Sequence, residues 1–201
     1  MARSALIVVD VQVDFCPGGA LAVAGGDEVV APINAMMDGA EAVILTQDWH
    51  PAGHSSFASE HSGRAPFETA EMPYGPQVLW PDHCVQGSPG AAFHSDLRTD
   101  RADMVVRKGY RPAIDSYSAF FENDHETPTG LHGYLRDRGI GAVTLAGLAT
   151  DFCVGFSARD AARLGYEVTV ELGASRAIDM AGSLGESLAA MRGAGVHLRG
   201  G

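Results

Sequence analysis

The chain is short of cations, of cysteines and of long apolar runs, and each shortage removes a class of function. Only 14 of its 201 residues are Lys or Arg, against 25 Asp or Glu, for a formal charge of -11. Nucleic acids and anionic membrane surfaces reward clustered Lys and Arg, so neither is expected as a partner. The longest apolar runs, such as residues 5–9, fall far below the ~20 residues that cross a bilayer. No signal-peptide h-region stands near the N-terminus, and a cytoplasmic location is expected. The three cysteines, Cys16, Cys84 and Cys153, are odd in number and scattered, unlike a disulfide framework, so reduced thiols are expected. A Gly-x-Gly-x-x-Gly turn after the first apolar run is also lacking. Asp10-Val11-Gln12-Val13-Asp14 stands there instead, which argues against a dinucleotide-binding oxidoreductase.

What is there describes an ordinary globule. Apolar residues make up 46% and charged residues 19%, enough for one well-buried core, and the length suits a single domain over residues 1–201. A small molecule is the expected partner. A homo-oligomer is allowed by the composition but not specified by it. Short β-branched runs alternate with amphipathic stretches, the pattern of βαβ units. The expected fold class is α/β: a single-domain, Rossmann-like, three-layer αβα sandwich around a six-stranded, mostly parallel sheet. Strands are expected at 6–9, 42–46, 104–107, 142–146, 168–170 and 196–198. Helices are expected from an Asp27 cap to Gly39, after Ser88-Pro89-Gly90, and over 129–138, 151–164 and 178–191. The irregular stretch 48–87 is too long for a plain connection and reads as an active-site wall.

Open parallel sheets bind ligands beyond the carboxyl ends of their strands. Asp10, Asp48, His50, Lys108 and Cys153 all fall at such ends. Singly, Asp10 could be a turn residue, Lys108 a solvated charge and Asp48 a surface carboxylate; five at one rim are harder to dismiss. Cys153 follows a strand and opens a helix, where free N–H groups and the helix dipole favour a thiolate. Asp10 could accept its proton and Lys108 supply a cation, though by position alone core packing of Cys153 beside Phe156 is as good a reading. Asp48 and His50 lie two residues apart, so in extended backbone they point the same way, as two metal ligands would. His83 from the long loop offers a third ligand and His54 a fourth; imidazole, carboxylate and water suit zinc, iron or manganese. His61, His94, His125, His132 and His197 are expected to be solvated or hydrogen-bonded.

Larger blocks then add to the pattern: Val9-Asp10-Val11-Gln12-Val13-Asp14-Phe15, Thr46-Gln47-Asp48-Trp49-His50-Pro51, Trp80-Pro81-Asp82-His83-Cys84-Val85-Gln86-Gly87, Lys108-Gly109 with Ile114-Asp115-Ser116-Tyr117-Ser118, and Gly147-Leu148-Ala149-Thr150-Asp151-Phe152-Cys153. In order and spacing they cover most of the chain. The sequence closely resembles the nicotinamidase/pyrazinamidase branch of the isochorismatase-like cysteine hydrolases. The resemblance implies a catalytic triad of Asp10, Lys108 and Cys153, an oxyanion hole from the N–H groups of Ala149 and Cys153, and a cis peptide between Leu148 and Ala149. It implies one divalent metal ion, zinc before iron or manganese, on Asp48, His50 and His83, with His54 matching a ligand used by some members only. It places the substrate ring among Phe15, Trp80, Tyr117 and Leu148. The implied reaction is hydrolysis of nicotinamide to nicotinate and ammonia in NAD salvage, with pyrazinamide as a side substrate. The alternatives are a related hydrolase of a carbamoyl or ureido amide, or a non-catalytic small-molecule-binding protein of the same fold. Cys16 and Cys84 are expected to be structural.

Overall fold

The first strand, β1 (Arg3–Val9), is buried from Ala5 onward, and β2 (Val43–Asp48) is buried along its whole length. Unbroken apolar runs of this kind belong to parallel strands covered on both faces, rather than to half-exposed strands that alternate. A small antiparallel hairpin follows, β3 (Thr69–Met72) with β4 (Gly75–Val78). The main sheet resumes with β5 (Met104–Lys108), β6 (Ile140–Leu148), β7 (Glu167–Arg176) and β8 (His197–Arg199). In this computed structural model, which describes residues 3–200, the six strands lie in the order β5-β2-β1-β6-β7-β8, every neighbouring pair parallel. Helices α1 (Val30–Met37), α2 (Leu131–Asp137), α3 (Gly155–Arg163) and α4 (Ser183–Gly193) flank it. Ile7, Val9, Ile44, Leu45 and Leu145 of the sheet meet Ile33, Leu131, Leu135 and Ala158 of the helices in one continuous core. Among the described residues, no helix is long and apolar enough to cross a membrane.

The expected α/β fold and six strands are present, with differences that have local causes. The first helix starts at Val30, after a 3-10 turn over Gly26–Val29, so Asp27 lies inside that turn and caps nothing. Ser88 does accept a hydrogen bond from the Ala91 N–H at 3.3 Å, but only a single 3-10 turn, Pro89–Ala91, follows and no helix. The last helix begins at Ser183 instead of residue 178, because the intervening backbone is drawn away by Asp151. The long 48–87 stretch contains the β3–β4 hairpin, whose four-residue strands give too little periodicity to be seen in sequence.

Chain direction places the site. From the central β1 the sheet grows one way through β2 and β5 and the other way through β6, β7 and β8. Crevices form at such a reversal, outside the carboxyl ends of the strands. Asp10 follows β1, Lys108 ends β5, Asp48 ends β2, and the turn bearing Cys153 follows β6. Register tightens the arrangement: Asp48 pairs with Lys108, and Val9 with Gly147. Gly147 has φ +126, and a Cβ there would overlap the Val9 carbonyl oxygen. Gly147→Ala should therefore lose about 3 kcal/mol of stability through backbone strain and overpacking, lowering the melting temperature by roughly 10 °C. A thermal melt matching the parent would show that this close approach is not required.

Candidate active site

Lys108 is the hub. Its side chain is 0% exposed, and its ammonium lies 2.9 Å from Asp10 Oδ2 and 2.6 Å from Asp48 Oδ1. It also donates to the Ser116 carbonyl at 2.9 Å and approaches Cys153 Sγ at 3.4 Å. Burial alone would drive the proton off, but the two carboxylates outweigh it and hold the group well above the ordinary lysine range, so it stays charged. Burial would likewise raise the Asp48 carboxyl, yet Lys108 and His50 hold it well below the usual range.

Asp10 sits in the left-handed region at φ 48, just past the end of β1. Its Oδ1 accepts a 2.6 Å hydrogen bond from the Thr46 hydroxyl, which in turn accepts the Asp10 N–H at 3.1 Å. Its other oxygen, Oδ2, is buried and lacks a hydrogen bond of good geometry, though Lys108 lies close. Burial raises the Asp10 carboxyl, with Lys108 opposing. Burial also pushes the Cys153 thiol well above its ordinary range; Lys108 pulls it down, while Asp10 and Asp48 push it back up. The resting group is thus a thiol beside an acceptor, not the free thiolate that a helix start alone suggested. The turn it occupies, Thr150–Val154, is a wide π-type turn closed by Val154 N–H to the Ala149 carbonyl at 3.1 Å, and α3 proper begins only at Gly155. The Leu148–Ala149 peptide is cis.

Asp48 has a second face. Its Oδ2 lies 3.5 Å from His50 Nε2 and 3.7 Å from His83 Nε2. The His50 Nδ1–H donates to the Gly109 carbonyl at 2.9 Å and the His83 Nδ1–H to the Pro81 carbonyl at 2.8 Å. Carbonyls only accept, so each imidazole is held with an Nε2 lone pair turned inward. Three inward donors at these separations match a tetrahedral or open metal site, where ligands at about 2.0–2.1 Å from an ion lie about 3.3 Å from one another. The buried charges agree with this reading: two carboxylates face a single ammonium. Gly109, at φ +65, lets its carbonyl meet His50, since a Cβ there would overlap the ring. His54, the candidate fourth ligand, lies outside the Asp48, His50 and His83 cluster but close to His50 and Asp115. Its Nδ1 lies 2.8 Å from Ser56 Oγ, and its Nε2 lies 2.9 and 3.3 Å from the carbonyls of Arg111 and Ile114. Both nitrogens are engaged by protein, and the ring packs beside His50 at 4.5 Å.

Above Cys153 lies a narrow, partly open pocket. Phe15, Trp80 and Tyr117 line it, joined by Leu21, Asp115, Phe152 and Ile178. Trp80 meets Phe152 edge to face at 4.9 Å, and its indole N–H donates to the Tyr117 hydroxyl at 3.1 Å. Leu148 does not line this cavity: its side chain is fully buried and turned toward Gly26, as expected where successive strand residues face opposite ways. Ile178 and Leu21 come from loops with no chemical signature, and Phe152, though next to Cys153, could not be told from core by residue type.

A family model, described as the isochorismatase domain, matches residues 4–198. The chain is 52% identical to a nicotinamidase of Acinetobacter baylyi over 96% of this chain and 90% of that one. A solved nicotinamidase/pyrazinamidase from Acinetobacter baumanii superposes with a TM-score of 0.97 at 51% identity, covering 98% of this chain and 96% of that one. A pyrazinamidase from Pyrococcus horikoshii, solved in complex with zinc, superposes with a TM-score of 0.78 at 35% identity over 98% of both chains.

Because Lys108 compensates two buried carboxylates, Lys108→Met should destabilise the fold as well as the chemistry, by about 3–5 kcal/mol. In a thermal melt the variant should unfold roughly 10 °C below the parent. An unchanged melt would mean that the carboxylates are compensated from elsewhere.

Proposed function

The chain belongs to the isochorismatase family, and on that premise we propose that it is a nicotinamidase, hydrolysing nicotinamide to nicotinate and ammonia, with pyrazinamide as a side substrate. The observation that carries the proposal is the Lys108 ammonium held between Asp10 and Asp48 and 3.4 Å from Cys153 Sγ, beneath a cavity walled by aromatic rings.

This geometry supports the following steps. Asp10 Oδ2 takes the thiol proton as Cys153 Sγ attacks the carboxamide carbon, so sulfur need not carry a full charge in the resting enzyme. Lys108 remains an ammonium and offsets the charge as it passes from sulfur to the carbonyl oxygen. The N–H groups of Ala149 and Cys153 receive that oxyanion; fixed donors are effective because they need no reorganisation when charge develops. Asp10 returns its proton to the amide nitrogen, the C–N bond breaks, and ammonia leaves a thioester behind. A water then gives a proton to Asp10 and its oxygen to the thioester carbon. The C–S bond breaks, the acid is released, and Asp10 passes the proton back to sulfur.

Asp48, His50 and His83 are the residues that would hold one divalent cation, zinc ahead of iron or manganese. When bound, it supplies a Lewis acid at the cavity edge that can fix the lone pair of a ring nitrogen. The aromatic wall that Trp80, Phe152 and Tyr117 form by packing edge to face suits a heteroaromatic ring better than the slender chain of a carbamoyl or ureido amide. We place the activity in the cytoplasm, in keeping with three free, buried cysteines.

The test is ammonia release from nicotinamide. The parent should release it, and Cys153→Ala should cut kcat by roughly 10⁴-fold. Chelation should lower activity and metal add-back restore it, while His83→Ala should contain less metal by elemental analysis. A parent inactive on nicotinamide, or a Cys153→Ala variant with full activity, would overturn the proposal.

A further inference from the structure

Asp151 lies two residues before Cys153 in the same turn, is only 4% exposed, and takes no part in the chemistry above. Its carboxylate is nevertheless fully engaged with a distant segment. Oδ1 accepts the Ile178 N–H at 3.0 Å, and Oδ2 accepts the Asp179 N–H at 2.7 Å and the Ser183 hydroxyl at 2.5 Å. Hydrogen bonds to an ionised acceptor are among the stronger ones, and three on one buried carboxylate make a firm tie. The segment they hold is one that would not keep its shape unaided. Asp179 and Ala181, neither of them glycine, have φ of 55 and 50, followed by Gly182 at 91. Side-chain-bearing residues in that region persist only where their surroundings enforce it. Ile178, at the start of this segment, forms part of the same cavity wall that includes Cys153, Ala149 and Phe152.

We infer that Asp151 is a positioning residue: it clamps the 177–182 loop to the nucleophile's turn, and Ile178, held there, is a specificity-determining wall that limits the size of ring the enzyme accepts. The clamp joins two parts of the pocket that come from different ends of the sequence. One carboxylate thus sets the distance between the sulfur and the wall opposite the substrate. The inference rests on the nicotinamidase reading for its choice of substrate.

Metal-replete enzyme would be assayed with nicotinamide and with a bulkier bicyclic amide, quinoline-3-carboxamide. Ile178→Ala should raise KM for nicotinamide about tenfold, leave kcat within about threefold, and shift the ratio of kcat/KM toward the bicyclic amide about tenfold. Asp151→Asn replaces one acceptor oxygen with an NH2 that cannot accept, so the clamp loses its charge and at least one of its three hydrogen bonds. This variant should reproduce the same KM rise and the same shift in ring selectivity, with the pH profile of kcat keeping its parental shape. Ser183→Ala, which removes one of the three bonds, should shift selectivity in the same direction by less, and it carries the test if Asp151→Asn does not fold. The clamp is overturned if Asp151→Asn lowers kcat at unchanged KM with an altered pH profile, since Asp151 would then serve the nucleophile's turn alone. It is also overturned if Ile178→Ala leaves ring selectivity unchanged. A parent that releases no ammonia from nicotinamide overturns the nicotinamidase reading itself, an outcome distinct from either.

Discussion

Everything at this site depends on one buried cation serving two buried carboxylates. Removing charges from water costs several kcal/mol per ion, and only close pairing with satisfied hydrogen bonds recovers that cost. Lys108 meets the condition through Asp10, Asp48 and the Ser116 carbonyl. Two carboxylates against one ammonium leave the cluster one positive charge short. A cation beside Asp48 would meet that deficit. Burial is the first reason the Cys153 thiol is pushed up, and its one cationic neighbour, already committed to two anions, does not offset it.

Parallel pairing is what makes such a cluster possible without long side-chain reach. The register that sets Asp48 beside Lys108 belongs to the backbone ladder of β2 and β5, so these charges are brought together by strand assembly and not by rotamer choice. The β1 and β6 pairing does the same for Asp10 and the turn bearing Cys153, with Gly147 allowing the two strands to close at their carboxyl ends. Thr46, one turn of the pleat before Asp48, completes the arrangement by orienting Asp10 from the neighbouring strand. Burial of β1 and β2 is thus part of the geometry of the cluster, since strands exposed on one face could not enclose these groups.

The features legible in the sequence were those with a repeating or local cause. Apolar runs marked the six strands, and the polar residue at each carboxyl end marked the rim where Asp10, Asp48, Lys108 and Cys153 meet. The spacing of Asp48 and His50 was legible for the same reason, because period two in extended backbone is a strong constraint. What could not be read depended on contacts made at a distance. His54 has the same residue type as its neighbours, and only the loop carbonyls of Arg111 and Ile114 decide that its nitrogens are engaged. Leu148 lies within a matched motif, but its side chain turns toward Gly26 and away from the pocket. The start of the last helix was hidden because Asp151, more than twenty residues earlier, competes for the N–H groups at its entrance. Thr46 stood in a matched block but signalled no role of its own, as a threonine in a strand is ordinary until its hydroxyl is seen to hold the Asp10 carboxylate.

Asp48 shows why the two halves of this site cannot be dissected one residue at a time. Its Oδ1 neutralises Lys108 at 2.6 Å, while its Oδ2 faces the Nε2 atoms of His50 and His83. Removing the carboxylate would strip a candidate metal ligand and also leave Lys108 to Asp10 alone, changing the charge that Cys153 experiences. Loss of activity on changing Asp48 therefore cannot be assigned to metal loss. His83 is different: its ring reaches Asp48 on the far face only, its other nitrogen is spent on the Pro81 carbonyl, and it has no contact with Lys108. Residues that touch only one half of a shared cluster are the ones whose removal separates its functions, and here geometry, not residue type, identifies which those are.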